Sequence, residues 1–105
     1  MQHTWNIPLD LMNDYLPVIT IVIKKFKPIS YAVSLKIIDG SEISEVVIWE
    51  NIHASDHMDQ FYRQQKAKKR CKSSMGKISN LNDISKLCHY IDKNHKRFIL
   101  KYFKG

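Results

Sequence analysis

The side chains with the most chemistry to offer lie together in the run Trp49-Glu50-Asn51-Ile52-His53-Ala54-Ser55-Asp56-His57-Met58-Asp59-Gln60-Phe61-Tyr62-Arg63. This run holds two histidines, three acids, a tyrosine and an arginine. Such a set suits the cleavage of RNA. Attack of a 2′-OH on its neighbouring phosphate needs a proton acceptor, positive charge on the phosphorane oxygens and a proton donor for the leaving 5′-oxygen. Imidazole serves either proton role, since its ordinary pKa is about 6.5. Arginine or lysine serves the phosphate. His53, His57, Tyr62 and Arg63 are therefore the candidate catalytic residues, acting without a metal, and Glu50 or Asp56 can orient a histidine. Other readings of the same residues stand beside this one. A histidine can be structural or solvated, Phe61 and Tyr62 can pack on a strand, and Trp49 can fill a core or stack on a base. His53-x-x-x-His57 would suit a metal on a helix, with Asp56 or Asp59 as third ligand, but Ala54-Ser55-Asp56 reads as a turn.

Several chemistries lack their signature. Gly40, Gly76 and Gly105 are the only glycines, so there is no glycine-rich phosphate loop. There is no CxxC pair, no HExxH and no GxSxG turn. No metal and no cofactor is expected.

Charge points to a polyanion. The chain has 105 residues and a net charge of +7. Residues 41–60 carry five acids and no lysine or arginine, whereas residues 61–80 carry seven cations and no acid. A field of that sign concentrates polyanions and speeds their encounter. Lys66, Lys68, Lys69, Arg70 and Lys72 are the candidate nucleic-acid-binding residues, in a segment that also reads as a solvated basic loop.

The elements that must position these residues follow from periodicity. Leu9, Met12 and Leu16 suit a short helix between Pro8 and Pro17. Val18 to Phe26 is rich in β-branched residues and reads as a strand. Ile29, Tyr31, Val33, Leu35 and Ile37 alternate with smaller or polar residues, which marks a strand buried on one face. Asp39-Gly40 signals a hairpin, and Ile43 to Ile52 resumes as a third strand. His53 to His57 reads as a turn, Met58 to Gln64 as a fourth strand, and Gln65 to Ser79 as a basic loop or frayed strand end. Asn80 or Asn82 caps a helix whose apolar face is Leu81, Ile84, Leu87, Cys88 and Ile91, continued by His95, Phe98 and Tyr102. The alternative for the last stretch is a stop at Asn94 and a strand through Phe98, Leu100 and Tyr102.

The expected fold is α+β: a three- to four-stranded antiparallel meander with a C-terminal helix packed on one face. It forms one domain, with an N-terminal segment 1–17, a sheet 18–64, a basic loop 65–80 and a helix 81–103. The longest apolar stretch, Leu16 to Ile23, is far shorter than the roughly 20 residues of a membrane-spanning helix. Met1 to Asp10 shows no secretory pattern. Cys71 and Cys88 have no framework spacing and read as free thiols. A cytoplasmic protein without a membrane partner is expected.

Trp49-Glu50-Asn51-Ile52-His53, with His57 downstream and a basic tail, resembles the motif near "YDNAH" of TumE-like toxin components of prokaryotic toxin–antitoxin modules. Trp49 and Glu50 stand where that motif has Tyr and Asp. Tyr90-Ile91-Asp92-Lys93-Asn94, followed by Phe98 and Tyr102, looks like the helix that closes such proteins. The likeness covers Ile29 to Arg63 and that helix. It implies a small toxin acting on RNA or the ribosome, neutralised by a cognate antitoxin protein, with endoribonuclease activity as one form of that action. Two alternatives rest on charge and composition. One is a non-catalytic nucleic-acid-binding module. The other is an interaction protein of a virus or mobile element that inhibits a host enzyme.

Overall fold

A computed structural model of the chain describes residues 2–53, 55–72 and 76–105, with 65–72 described by backbone alone. The elements are β1 (His3–Pro8), β2 (Leu16–Phe26), β3 (Ile29–Asp39), β4 (Glu42–Glu50), β5 (His57–Tyr62), β6 (Gln65–Lys72) and α1 (Leu81–Lys104). The strands pair antiparallel in sequence order, β1 to β6, so the sheet is a meander. The α+β class and the closing helix agree with the sequence. The sheet has six strands where three or four were expected.

Period-two alternation builds the core. Residues directly opposite on paired strands share a face, so Ile19, Ile21 and Ile23 lie beside Leu35, Val33 and Tyr31, and Val33 and Leu35 lie beside Trp49 and Val47. All of these are buried. Ile84, Leu87, Ile91, Phe98 and Ile99 of α1 close over them. Each fully buried side chain of this size contributes about 1.5–3 kcal/mol. Trp49 anchors the contact, with its ring edge-on to Phe98 at 5.4 Å and to Tyr90 at 6.3 Å between centroids. A β-bulge interrupts the β3–β4 ladder: Leu35 faces Val47 and Lys36 faces Glu45, leaving Val46 as the extra residue.

The turns are built by their residues. Asp39 pairs with Glu42 around Gly40-Ser41, and Gly40 takes φ +61°, which glycine accepts without steric cost. Asn80 is the helix cap. Its side chain accepts from the Asp83 N–H at 2.9 Å, while Asp83 Oδ2 accepts from the Ser79 N–H at 2.9 Å. At the other end of the helix, the Arg63 N–H donates to the Tyr102 carbonyl at 2.8 Å and Gln64 N–H to the Gly105 carbonyl at 3.2 Å. A side chain at Gly105 would collide with the Tyr62 ring.

Two expectations need correction. The N-terminal segment holds strand β1 rather than a helix at Leu9 to Leu16. The Leu9 N–H instead donates to the Pro17 carbonyl, and Met12 bridges Tyr15 around Asn13, which adopts φ 53°. Short Asn side chains tolerate that left-handed conformation. The basic segment is strand β6 from Gln65 to Lys72, because the free edge of β5 supplies its hydrogen bonds. Lysine is a common residue on such edges. The helix expected through residue 103 runs to Lys104, since Phe98, Ile99 and Tyr102 stay on the sheet-facing side. His3 belongs to β1 and packs against Trp5 and Phe26. Among the described residues no helix is long and apolar enough to cross a membrane.

A histidine and carboxylate group at one end of the sheet

Glu50 ends β4 and His57 begins β5, directly opposite it in register. The intervening turn folds back so that His53 Nδ1 lies 2.6 Å from Glu50 Oε1. A carboxylate oxygen only accepts, so Nδ1 carries the hydrogen, and in the neutral ring the lone pair is then on Nε2. The His53 side chain is 76% exposed and that of Glu50 11%. The result is a solvent-facing imidazole held by a fixed carboxylate.

His57 is different. Its side chain is only 7% exposed. Nδ1 donates to the Ser55 carbonyl at 2.9 Å, which braces the turn. Its Nε2 lies 4.0 Å from Glu50 Oε1 and 3.6 Å from Asp59 Oδ2. Glu50 therefore stands between the two histidines, and they converge on one carboxylate. Among the described residues no three His, Cys, Asp or Glu side chains are grouped to hold a metal ion.

Two further groups fix the turn. Asn51 accepts from the Tyr31 N–H at 2.9 Å and donates from Nδ2 to the Ile29 carbonyl at 2.8 Å, fastening the end of β4 to the start of β3. The Tyr31 hydroxyl donates to Asp56 Oδ2 at 2.8 Å, and the Ile78 N–H donates to the same oxygen at 3.1 Å. Burial, then the hydrogen bond and charge of Asp56, then the charge of Glu50, push the Tyr31 hydroxyl far above its ordinary value. Asp56 thus ties the turn to both the core and the chain entering α1.

A cleft of about 480 Å³ lies at the same end of the sheet, lined by Lys25, Ser30, Asn51, Lys77 and Ser79 among others, with His53, Glu50 and His57 outside its lining. It supplies two lysines at the histidine end. Nothing in the sequence singles them out, because they come from distant segments that only the fold joins.

Tyr62 and Arg63 are not part of this group. They sit at the far end of β5, five and six residues from His57, or roughly 17–20 Å along the strand. Arg63 lies over the Phe103 ring at 5.5 Å from its centroid. It also lines a cavity of about 440 Å³ with Asp14, Asp39 and Glu42, whose charges would repel a phosphate. The backbone of Lys66, Lys68, Lys69, Arg70 and Lys72 runs in β6, with Asp59 opposite Arg70 and His57 opposite Lys72. Their side chains, and that of Cys71, lie outside the described residues. Cys88 is a free thiol, half-buried on the helix, and burial pushes its pKa up.

Fold and site together define a class: a six-stranded antiparallel meander closed by one helix, carrying a histidine–carboxylate group at one sheet end. Residues 4–105 match the family model described as a domain of unknown function, DUF7718, and the chain belongs to that family. No curated protein and no solved structure matches it.

Proposed function

We propose that this protein is a small basic toxin acting on RNA, as a metal-independent endoribonuclease with His53 as its general base. The observation that carries the reading is the 2.6 Å contact between the exposed His53 imidazole and the nearly buried Glu50 carboxylate. It leaves Nε2 free to take a proton. Glu50 holds the ring in place and stabilises the imidazolium that forms, as a carboxylate does behind a catalytic histidine.

The reaction runs as follows. Nε2 of His53 takes the proton of a 2′-OH as its oxygen bonds to phosphorus. Positive charge from Lys25 and Lys77, in the cleft at the same end of the sheet, stabilises the phosphorane. The bond from phosphorus to the 5′-oxygen breaks, and that oxygen takes a proton from Lys77 or solvent. The products are a 2′,3′-cyclic phosphate and a 5′-OH. His57 does not touch substrate in this scheme; it positions Glu50 and the turn. Tyr62 and Arg63 take no part. A cognate antitoxin as natural partner rests on the resemblance of Trp49 to His53 and on the basic surface.

The test is induced expression of wild type beside His53→Ala and Glu50→Gln, following growth and RNA integrity. Purified protein with labelled RNA and EDTA then tests the chemistry. Growth arrest and cyclic-phosphate ends from wild type alone are expected. Arrest that persists in His53→Ala would place the action in binding rather than cleavage. Intact RNA and normal growth with wild type would refute the proposal.

A further inference from the structure

The most one-sided charge among the described residues is on the outer face of α1. The helix bears six cations and two acids. At about 100° and 1.5 Å per residue, Lys86, Lys93, Arg97, Lys101 and Lys104 fall within an arc of about 80° over a length of about 27 Å. All five are exposed, and the opposite side of the helix is buried on the sheet. Arg97 is held in place: its Nη2 donates to the Tyr90 hydroxyl at 3.0 Å, and its guanidinium lies 5.1 Å from the Phe98 ring centroid. Among the described residues none of these cations pairs with a carboxylate; the ion pairs there all involve histidine. Asp83 is engaged in the helix cap, and Asp92 lies about 100° outside the arc. The basic strand β6 has instead an acid on its neighbour, with Asp59 of β5 opposite Arg70.

We infer that this stripe is the surface that grips the phosphate backbone of the RNA, a step that rests on the proposed action for the identity of the polyanion. A membrane surface fits poorly, because the apolar face of α1 is already buried and only Leu100 is exposed near the stripe. An acidic protein fits poorly too, because the stripe has no apolar centre of the kind that anchors protein interfaces. The helix also begins at the histidine turn, since Ile78, just before α1, donates to Asp56. A strand laid along the stripe toward Lys86 therefore runs to that end of the sheet.

Binding of a labelled single-stranded RNA across about 50 to 200 mM salt tests this. Each phosphate contact contributes a slope of about −0.7 in log K against log salt. Lys93→Gln/Arg97→Gln/Lys101→Gln should flatten the slope by about 2 and weaken binding at low salt by about tenfold or more. Lys93→Arg/Lys101→Arg should retain both, and circular dichroism with urea midpoints checks that each variant folds. A wild-type slope in the triple variant would overturn the inference. So would tighter stripe-dependent binding to anionic vesicles or to an acidic peptide at the same salt. His53→Ala separates the two proposals, since it should bind RNA as wild type does and fail to cut it. Lost cleavage in His53→Ala with unchanged binding in the triple variant would sink the stripe alone. Stripe-dependent RNA binding by a wild type that never cuts would sink the nuclease alone.

Discussion

Replacing Tyr31 by Phe should destabilise the protein at neutral pH and remove part of its sensitivity to alkali. The ring is fully buried, and its hydroxyl donates to Asp56 at 2.8 Å. A hydrogen bond to a charged acceptor is worth about 1.5–3 kcal/mol. Asp56 keeps the Ile78 N–H after the change, so the lower half of that range, about 1.5–2 kcal/mol, is expected. For a domain of this size that is a fall in Tm of roughly 6–16 °C. The pH dependence has a definite sign. The folded-state pKa of Tyr31 is raised above its ordinary value of 10.0. Below pH 10.0 both folded and unfolded chains hold the proton, and the contribution is present in full. Above it the unfolded chain releases the proton first, so stability falls by about 1.4 kcal/mol per pH unit until the folded pKa is reached. Urea denaturation of wild type and Tyr31→Phe from neutral pH to beyond 10 measures both effects. The lysines contribute equally to the two proteins, so the difference in slope isolates Tyr31. Equal alkaline slopes, or a neutral-pH loss under about 0.5 kcal/mol, would refute the account of this hydrogen bond.

Other substitutions test the frame around the site. Asn51→Ala removes two hydrogen bonds that join β4 to β3 and should cost about 2–3 kcal/mol in urea unfolding. Asn80→Ala removes the helix cap and should cost about 1 kcal/mol, with Asn80→Asp close to wild type. Trp49→Ala empties the space between β4 and α1 and should cost about 3–5 kcal/mol, enough to leave a marginal fold detectable by loss of near-ultraviolet dichroism.

The central hairpin and the closing helix are legible because each buries one face with a regular period. Tyr31, Val33 and Leu35 repeat every second residue, and Ile84, Leu87 and Ile91 repeat every third or fourth. Strand β1 is harder to read. His3, Trp5 and Ile7 alternate with Thr4, Asn6 and Pro8, but the run is short and Trp5 and Ile7 stay exposed. Strand β6 is hidden for another reason: Lys, Arg, Ala and Gln have little strand preference, and the open edge of β5 decides its conformation. At the site, His53 and Glu50 can be named from their spacing. Lys25 and Lys77 cannot, because only the turn after β2 and the approach to α1 bring them to the same cleft. Tyr62 and Arg63 are near the histidines in sequence and far in space because an extended strand carries them away.

The same geometry divides the two histidines by what their loss should do. His53 is solvent-exposed with one contact, so His53→Ala should change stability by no more than about 0.5 kcal/mol. His57 is buried, braces Ser55 and lies within 4.0 Å of Glu50. Its removal leaves a cavity and an unpaired carbonyl in the turn, at a cost of about 2–4 kcal/mol. A growth assay of a double alanine variant would confound lost chemistry with lost folding. The single variants, compared by urea midpoint and by cleavage per folded molecule, separate them. His53→Ala should keep its midpoint and lose cleavage. His57→Ala should lose midpoint first, and His57→Gln, which keeps a polar group near Ser55, should recover part of both. If His53→Ala unfolds as readily as His57→Ala, the exposed imidazole has a structural role and cannot be the free base on which the nuclease reading depends.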